Sequence, residues 1–196
     1  EVKPDIIITV PLILEKIYKK NIQPVINNKF IKPFIKIPCI NRLIYRKIKK
    51  SITHALGGKF TEVIIGGAAL NKEVEEFFKK IEFPFTVGYG MTECAPLISY
   101  SPHTEFVAGS CGQVLPGIME ARIDSEDPEN IPGEIQVRGE NVMKGYYKNP
   151  EATAAAFTSD GWLRTGDSGI MDKNHRLYIK GRIKAMILGP NGQNIF

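Results

Sequence analysis

The stretch VGYGMTECAP, Val87 to Pro96, gathers side chains that can do chemistry. Tyr89 offers a flat ring able to stack on a nucleobase. Thr92 offers a hydroxyl to a phosphate oxygen, and Glu93 a hard oxygen ligand suited to Mg²⁺. Gly88 and Gly90 let a ligand approach the backbone closely. The same Thr92 and Glu93 could instead cap a turn or a short helix. With few apolar side chains to bury, the stretch does not read as core.

Other stretches carry weaker signals. IIGGAAL (Ile64 to Leu70) sets Gly67, Ala68 and Ala69 at the end of an apolar run, where a ligand or a packed helix can come close. GWLRTGDSG (Gly161 to Gly169) puts Asp167 in a glycine-flanked turn. Its two acceptor oxygens suit the paired hydroxyls of a ribose, and equally a plain hairpin. YIKGRIKAMIL (Tyr178 to Leu188) carries Arg182 and Lys184, a phosphate fork or a solvated strand edge. MKGYYKNPEATAAAF (Met143 to Phe157) reads as structural, and Trp162 as a packing anchor. His54, His103 and His175 are scattered, and no phosphate-loop, GxSxG or HExxH motif occurs.

These residues need elements to hold them. PDIIITVP reads as a buried strand, LILEKIYKK as a helix, and NRLIYRKIKKSITHAL as an amphipathic helix stopped by Gly57-Gly58. FTEVII is a strand, NKEVEEFFKKI a helix capped by Asn71, and PFTVGYG another strand. This alternation predicts a mostly parallel α/β subdomain over 1–102. Short alternating strands then predict a β-rich, barrel-like subdomain over 103–181, interrupted by the helix NPEATAAAF. Residues 182–196 read as the start of a further domain.

Composition agrees with a folded protein: 196 residues, 43% hydrophobic, 24% charged, net charge +5. So modest an excess suits an anionic small ligand, and no nucleic-acid partner is expected. Three cysteines without a CxxC suggest neither a disulfide framework nor a metal knuckle, and point to the cytoplasm. The basic stretch Lys29 to Lys50 reads either as a solvated helix face or as a peripheral membrane contact. The chain opens at Glu1 and stops directly after GPNGQNIF, which reads as a piece of a longer protein.

The order of the motifs is more specific than any one of them. GGAAL, GYGMTE, GEIQVRGENVMKGYY, GWLRTGD and GRIKAMI…NGQNI together resemble the adenylate-forming superfamily of acyl- and aryl-CoA synthetases, luciferases and adenylation domains. The match runs from about Glu62 to Phe196. Upstream, KPDIIITVPLILEKIYKK resembles long-chain fatty acyl-CoA synthetases. The resemblance implies a ligase, active in lipid metabolism, that uses ATP, Mg²⁺ and coenzyme A to convert a fatty acid first to an acyl-adenylate and then to acyl-CoA.

It also implies roles. Tyr89 would stack on adenine, with Gly90 letting the loop wrap the nucleotide. Thr92 would bond the α-phosphate, and Glu93 would hold Mg²⁺. Gly67, Ala68 and Ala69 would line the adenine and acyl pocket. Asp167 would take the ribose hydroxyls with help from Arg182. Lys184 would fall at a hinge, and Gly192 in the turn that meets the CoA arm. The loop for the β- and γ-phosphates and a catalytic lysine are expected outside this chain, so the chain alone is expected to be inactive. A noncatalytic nucleotide- or acyl-binding module, or a ligase for another carboxylic acid, remain as alternatives.

Overall fold

β-branched runs build a small parallel sheet. Ile6–Thr9 (β1), Glu62–Ile65 (β2) and Phe85–Val87 (β3) lie in the order β1-β2-β3, with Ile7 beside Val63 and Val63 beside Phe85. Parallel neighbours require long crossovers, and helices supply them. Between β1 and β2 run Pro11–Ile17 (α1), a π-helical turn at Tyr18–Ile22, Gln23–Ile26 (α2), Lys32–Ile35 (α3) and Pro38–Ala55 (α4). Lys72–Lys80 (α5) joins β2 to β3. The computed structural model describes residues 3–183, with the backbone of 187–188 and 194–195. Lys184 and Gly192 lie outside the described residues.

The chain divides into two compact units: Glu1–Val87 with Pro102–Ala108, and Gly88–Ser101 with Gly109–Phe196. In the first unit, Val63 and Ile65 of β2 are fully buried, as is Phe78 of α5. Val74, Phe77, Phe78 and Ile81 repeat at helical spacing, so one stripe of α5 meets the core. The Phe78 ring stands 5.1 Å from Phe83 and 6.1 Å from Phe85. The expected cap is present: Asn71 Oδ1 accepts from Glu73 N at 3.0 Å and Val74 N at 3.3 Å. The helix read over NRLIYRKIKKSITHAL begins earlier, at Pro38, and Gly57 and Gly58 end it with φ of 104° and 80°.

Two sequence readings are corrected here. β1 is not a buried strand: Ile6 is 53% and Ile8 79% exposed. It has a neighbour on one side only, so apolar composition alone did not decide its burial. The strand read over PFTVGYG divides at Gly88. β3 completes the parallel sheet, whereas Tyr89–Gly90 (β4) pairs antiparallel with Leu97–Tyr100 (β5) in the second unit.

That second unit is antiparallel throughout its described pairings. β4 and β5 are joined by Gln113–Val114 (β6) in the order β4-β5-β6. Met119–Asp124 (β7), Gly133–Gly139 (β8), Leu163–Met171 (β9) and Leu177–Arg182 (β10) form a sheet in the order β10-β9-β8-β7. Pro150–Ala156 (α6) is the helix read over NPEATAAAF, with Asn149 Oδ1 accepting from Ala152 N at 3.0 Å. Ile187–Leu188 (β11) and Asn194–Ile195 (β12) pair antiparallel. The core gathers Cys94, Ile98, Ile135, Val137, Leu163 and Leu177, all at 0–1% exposure. Trp162, read as a packing anchor, is half-buried, and the guanidinium groups of Arg122 and Arg138 stand 4.6 and 4.7 Å from its ring.

Candidate nucleotide-binding site

Asp167, read from the sequence as lying in a glycine-flanked turn, instead sits inside strand β9, whose first half alternates: Leu163, Thr165 and Asp167 are buried while Arg164 is exposed. A buried carboxylate needs partners, and Asp167 has several. The Tyr89 hydroxyl donates to its Oδ2 at 2.7 Å. Arg182 Nε pairs with its Oδ1 at 3.1 Å, and the arginine side chain itself remains 76% exposed. The Asp167 amide donates to Thr165 Oγ1 at 3.1 Å, and that hydroxyl donates to the Ile135 carbonyl at 2.7 Å. Three expected site residues from β4, β9 and β10 are thus joined through one carboxylate. Each of its oxygens keeps a second lone pair for a further donor.

Burial, and then the neighbouring Asp167 carboxylate, push the Tyr89 phenol far above its ordinary value. Tyr89 therefore stays a neutral donor. Its ring is half-buried and packs on the core of the second unit.

The loop after β4 is tightly built. Gly90 is required there, because a Cβ at that position would meet the Pro96 carbonyl oxygen at 2.0 Å. Met91 N donates to the same oxygen at 2.8 Å. Thr92–Cys94 form one 3₁₀ turn, and Ala95 follows in the left-handed region at φ 54°. Thr92 is exposed and Glu93 half-buried. Cys94 is fully buried, so this stretch does supply core, contrary to the sequence reading. Burial, and then the charge on Glu93, push the Cys94 thiol up to about 11, which keeps it protonated and unreactive.

Two residues beyond the sequence expectation hold this loop. Asn141 Nδ2 donates to the carbonyls of Cys94 at 2.6 Å and Leu97 at 2.8 Å, one on each side of the turn's exit. Tyr146 donates its hydroxyl to Glu93 Oε1 at 2.9 Å, and Met143 N donates to the Glu93 carbonyl at 2.7 Å. That hydrogen bond is the main cause raising the Tyr146 phenol above its usual value. The segment read as purely structural therefore reaches the candidate metal ligand. The signal was present in the sequence, since GENVMKGYY is one of the motifs that carry the resemblance.

Gly67, Ala68 and Ala69 form an exposed turn after β2, in the first unit, whereas Tyr89, Gly90, Thr92, Glu93, Asp167 and Arg182 all belong to the second. Among the described residues no group of three or more His, Cys, Asp or Glu could hold a metal ion. A lone carboxylate such as Glu93 would suit Mg²⁺, an ion that proteins commonly hold through one or two carboxylates.

Comparisons with known proteins agree on a family but not on a substrate. A family model described as "AMP-binding enzyme" matches residues 1–147. 4-Coumarate-CoA ligase 2 of Narcissus pseudonarcissus is 42% identical over 145 residues, covering 66% of this chain and 25% of that protein. Long-chain-fatty-acid–CoA ligase FadD15 of Mycobacterium bovis is 30% identical over 217 aligned positions, covering 98% of this chain and 34% of that protein. This chain spans about a quarter to a third of the length of these relatives. Among solved structures, ATP-bound MatB from Rhodopseudomonas palustris is similar at TM-score 0.65 and 30% identity, covering 79% of this chain and 32% of that one. O-succinylbenzoate coenzyme A synthetase of Bacillus subtilis, in complex with ATP and magnesium ion, is similar at TM-score 0.64 and 29% identity, covering 77% and 33%.

Proposed function

Because the chain belongs to the AMP-binding enzyme family, we propose that it is the nucleotide-holding part of a ligase that activates a carboxylic acid with ATP and passes the acyl group to coenzyme A. The observation that carries this reading is the buried Asp167, held by Tyr89 on one oxygen and Arg182 on the other. A carboxylate fixed in this way can accept both hydroxyls of a ribose without having to be ordered first. The Tyr89 ring beside it offers a stacking face to adenine.

In the first half-reaction the substrate carboxylate attacks the α-phosphorus, forming an acyl–phosphate bond and releasing pyrophosphate. In the second, the CoA thiol attacks the acyl carbon and AMP leaves. Thr92 would donate to the α-phosphate. Glu93, aimed by Tyr146, would hold Mg²⁺, which supplies charge neutralisation at the phosphate oxygens. Gly67, Ala68 and Ala69, in the first unit, keep their proposed role as small residues that let a ligand come close. Lys184 and Gly192, outside the described residues, keep their proposed roles at the hinge and the CoA arm.

For the acid, we favour a long-chain fatty acid. Similarity to FadD15 extends over 98% of this chain, whereas similarity to the 4-coumarate ligase covers 66%. A second reading, an aromatic acid, rests on the 42% identity to that ligase. ATP–pyrophosphate exchange by the full-length protein, with palmitate and 4-coumarate compared, separates the two. Exchange with palmitate alone supports the first, and exchange with 4-coumarate alone moves the substrate. A folded full-length protein that binds ATP yet exchanges with neither is a noncatalytic nucleotide-binding module, and the ligase reading fails.

A further inference from the structure

Residues 16–61 hold 12 of the chain's 26 Lys and Arg and none of its 21 Asp and Glu. Elsewhere the balance reverses, to 14 basic against 21 acidic residues. This segment runs from the end of α1 to the residue before β2. Among the described residues, the ion pairs all fall outside it.

The same segment exposes large apolar side chains. Phe30 is 83% exposed, Phe34 49%, Ile37 45% and Leu43 62%. Their direction is fixed by the backbone. The Asn28 carbonyl accepts from Ile31 N and Lys32 N, and the Ile31 carbonyl from Phe34 N and Ile35 N, so the chain winds through successive helical turns. Phe30 and Phe34, four residues apart, then share a solvent side, while Ile31 and Ile35 are half-buried. On α4, Ile44, Ile48 and Ile52 make the inward stripe, and Leu43 sits outside it with Arg42, Arg46, Lys47 and Lys50, all exposed.

Single exposed apolar residues are ordinary. Here there are four within residues 30–43, each with a Lys or Arg one or two positions away. That interleaving is what an anionic lipid interface requires, since it takes apolar side chains at its acyl boundary and cations at its headgroups. A nucleic acid would engage the cations but leave Ile37 and Leu43 against water. We propose that residues 29–50 form a docking surface for an anionic lipid bilayer, with Phe30, Phe34, Ile37 and Leu43 as the inserting side chains. The inference does not depend on which acid is activated, because binding is read without catalysis.

Cosedimentation with vesicles tests it. Vesicles of phosphatidylcholine mixed with phosphatidylserine are expected to bind the protein at low salt and release it at high salt; pure phosphatidylcholine should bind far less. Phe30→Ser and Phe34→Ser are each expected to weaken binding about tenfold or more, and Lys32→Gln and Lys36→Gln about fivefold each. An unchanged circular dichroism spectrum and melting temperature establish that each variant is folded. Equal binding to both vesicle types, no binding at low salt, or indifference to the Phe variants overturns the proposal. So does duplex DNA that displaces the vesicles and binds wild type and Phe variants alike.

Discussion

The Tyr89 hydroxyl lies 2.7 Å from Asp167 Oδ2 although 78 residues separate them in the chain. This bond ties β4 of one sheet to β9 of another within the second unit, and it places an aromatic face beside a buried carboxylate. Removing the hydroxyl leaves part of that carboxylate unpartnered. Tyr89→Phe is therefore expected to cost about 1.5–3 kcal/mol in denaturant unfolding, while the ring is kept. In an enzyme that binds ATP here, KM for ATP rises more than kcat falls.

Burial of the same phenol makes stability pH-dependent. The Tyr89 phenol is raised above its unfolded value of 10.0, chiefly by burial. Its contribution is complete below that pH. Above it the unfolded chain ionises first and stability falls, by up to about 1.4 kcal/mol per pH unit for this one group. Tyr18, pushed up to about 12 by burial and then by its bond to Glu73, acts in the same direction. Urea midpoints between pH 9 and 11 should fall steeply for wild type and less steeply for Tyr89→Phe. Parallel slopes would remove Tyr89 as a cause.

Tyr146 steadies the carboxylate of Glu93 through a 2.9 Å hydrogen bond. In the full-length enzyme, Tyr146→Phe should raise the Mg²⁺ concentration needed for adenylate formation about tenfold or more, as loss of an outer partner of a metal ligand does. At saturating Mg²⁺ the rate should recover. Glu93→Gln should instead lower adenylate formation at least about a hundredfold at any Mg²⁺ level, because the amide is a poorer ligand. If the two variants behaved identically, Tyr146 would not be acting through Glu93.

Asn141 clamps the exit of the Thr92–Cys94 turn by donating to two carbonyls. Asn141→Asp keeps its shape but replaces the amide nitrogen that makes both bonds with an acceptor oxygen. A loss of about 3 kcal/mol is expected, read from thermal or urea unfolding. Stability equal to wild type would mean that the clamp contributes nothing.

Gly90→Ala should be disproportionately severe for the addition of one methyl group. The new carbon would lie 2.0 Å from the Pro96 carbonyl oxygen, a backbone atom that cannot swing away. Displacing it disrupts the β4–β5 pairing, at a cost of at least about 2 kcal/mol.

Local rules made much of this protein legible in its sequence. Asn71 and Asn149 cap the helices that follow them, because a side-chain acceptor satisfies nearby amide donors whatever the tertiary context. The spacing of Val74, Phe77, Phe78 and Ile81 specified both a helix and its buried stripe. The order of the motifs was enough to point to the family.

What the sequence could not supply were pairings across distance. Tyr146 reaches Glu93 from 53 residues away, and Asn141 reaches Cys94 from 47. β1 has the composition of a buried strand, yet its place at the end of the β1-β2-β3 sheet leaves Ile8 79% exposed. Periodicity fixes which residues share a face. Sheet order and strand register decide what that face meets, and those depend on contacts that no short window of sequence contains.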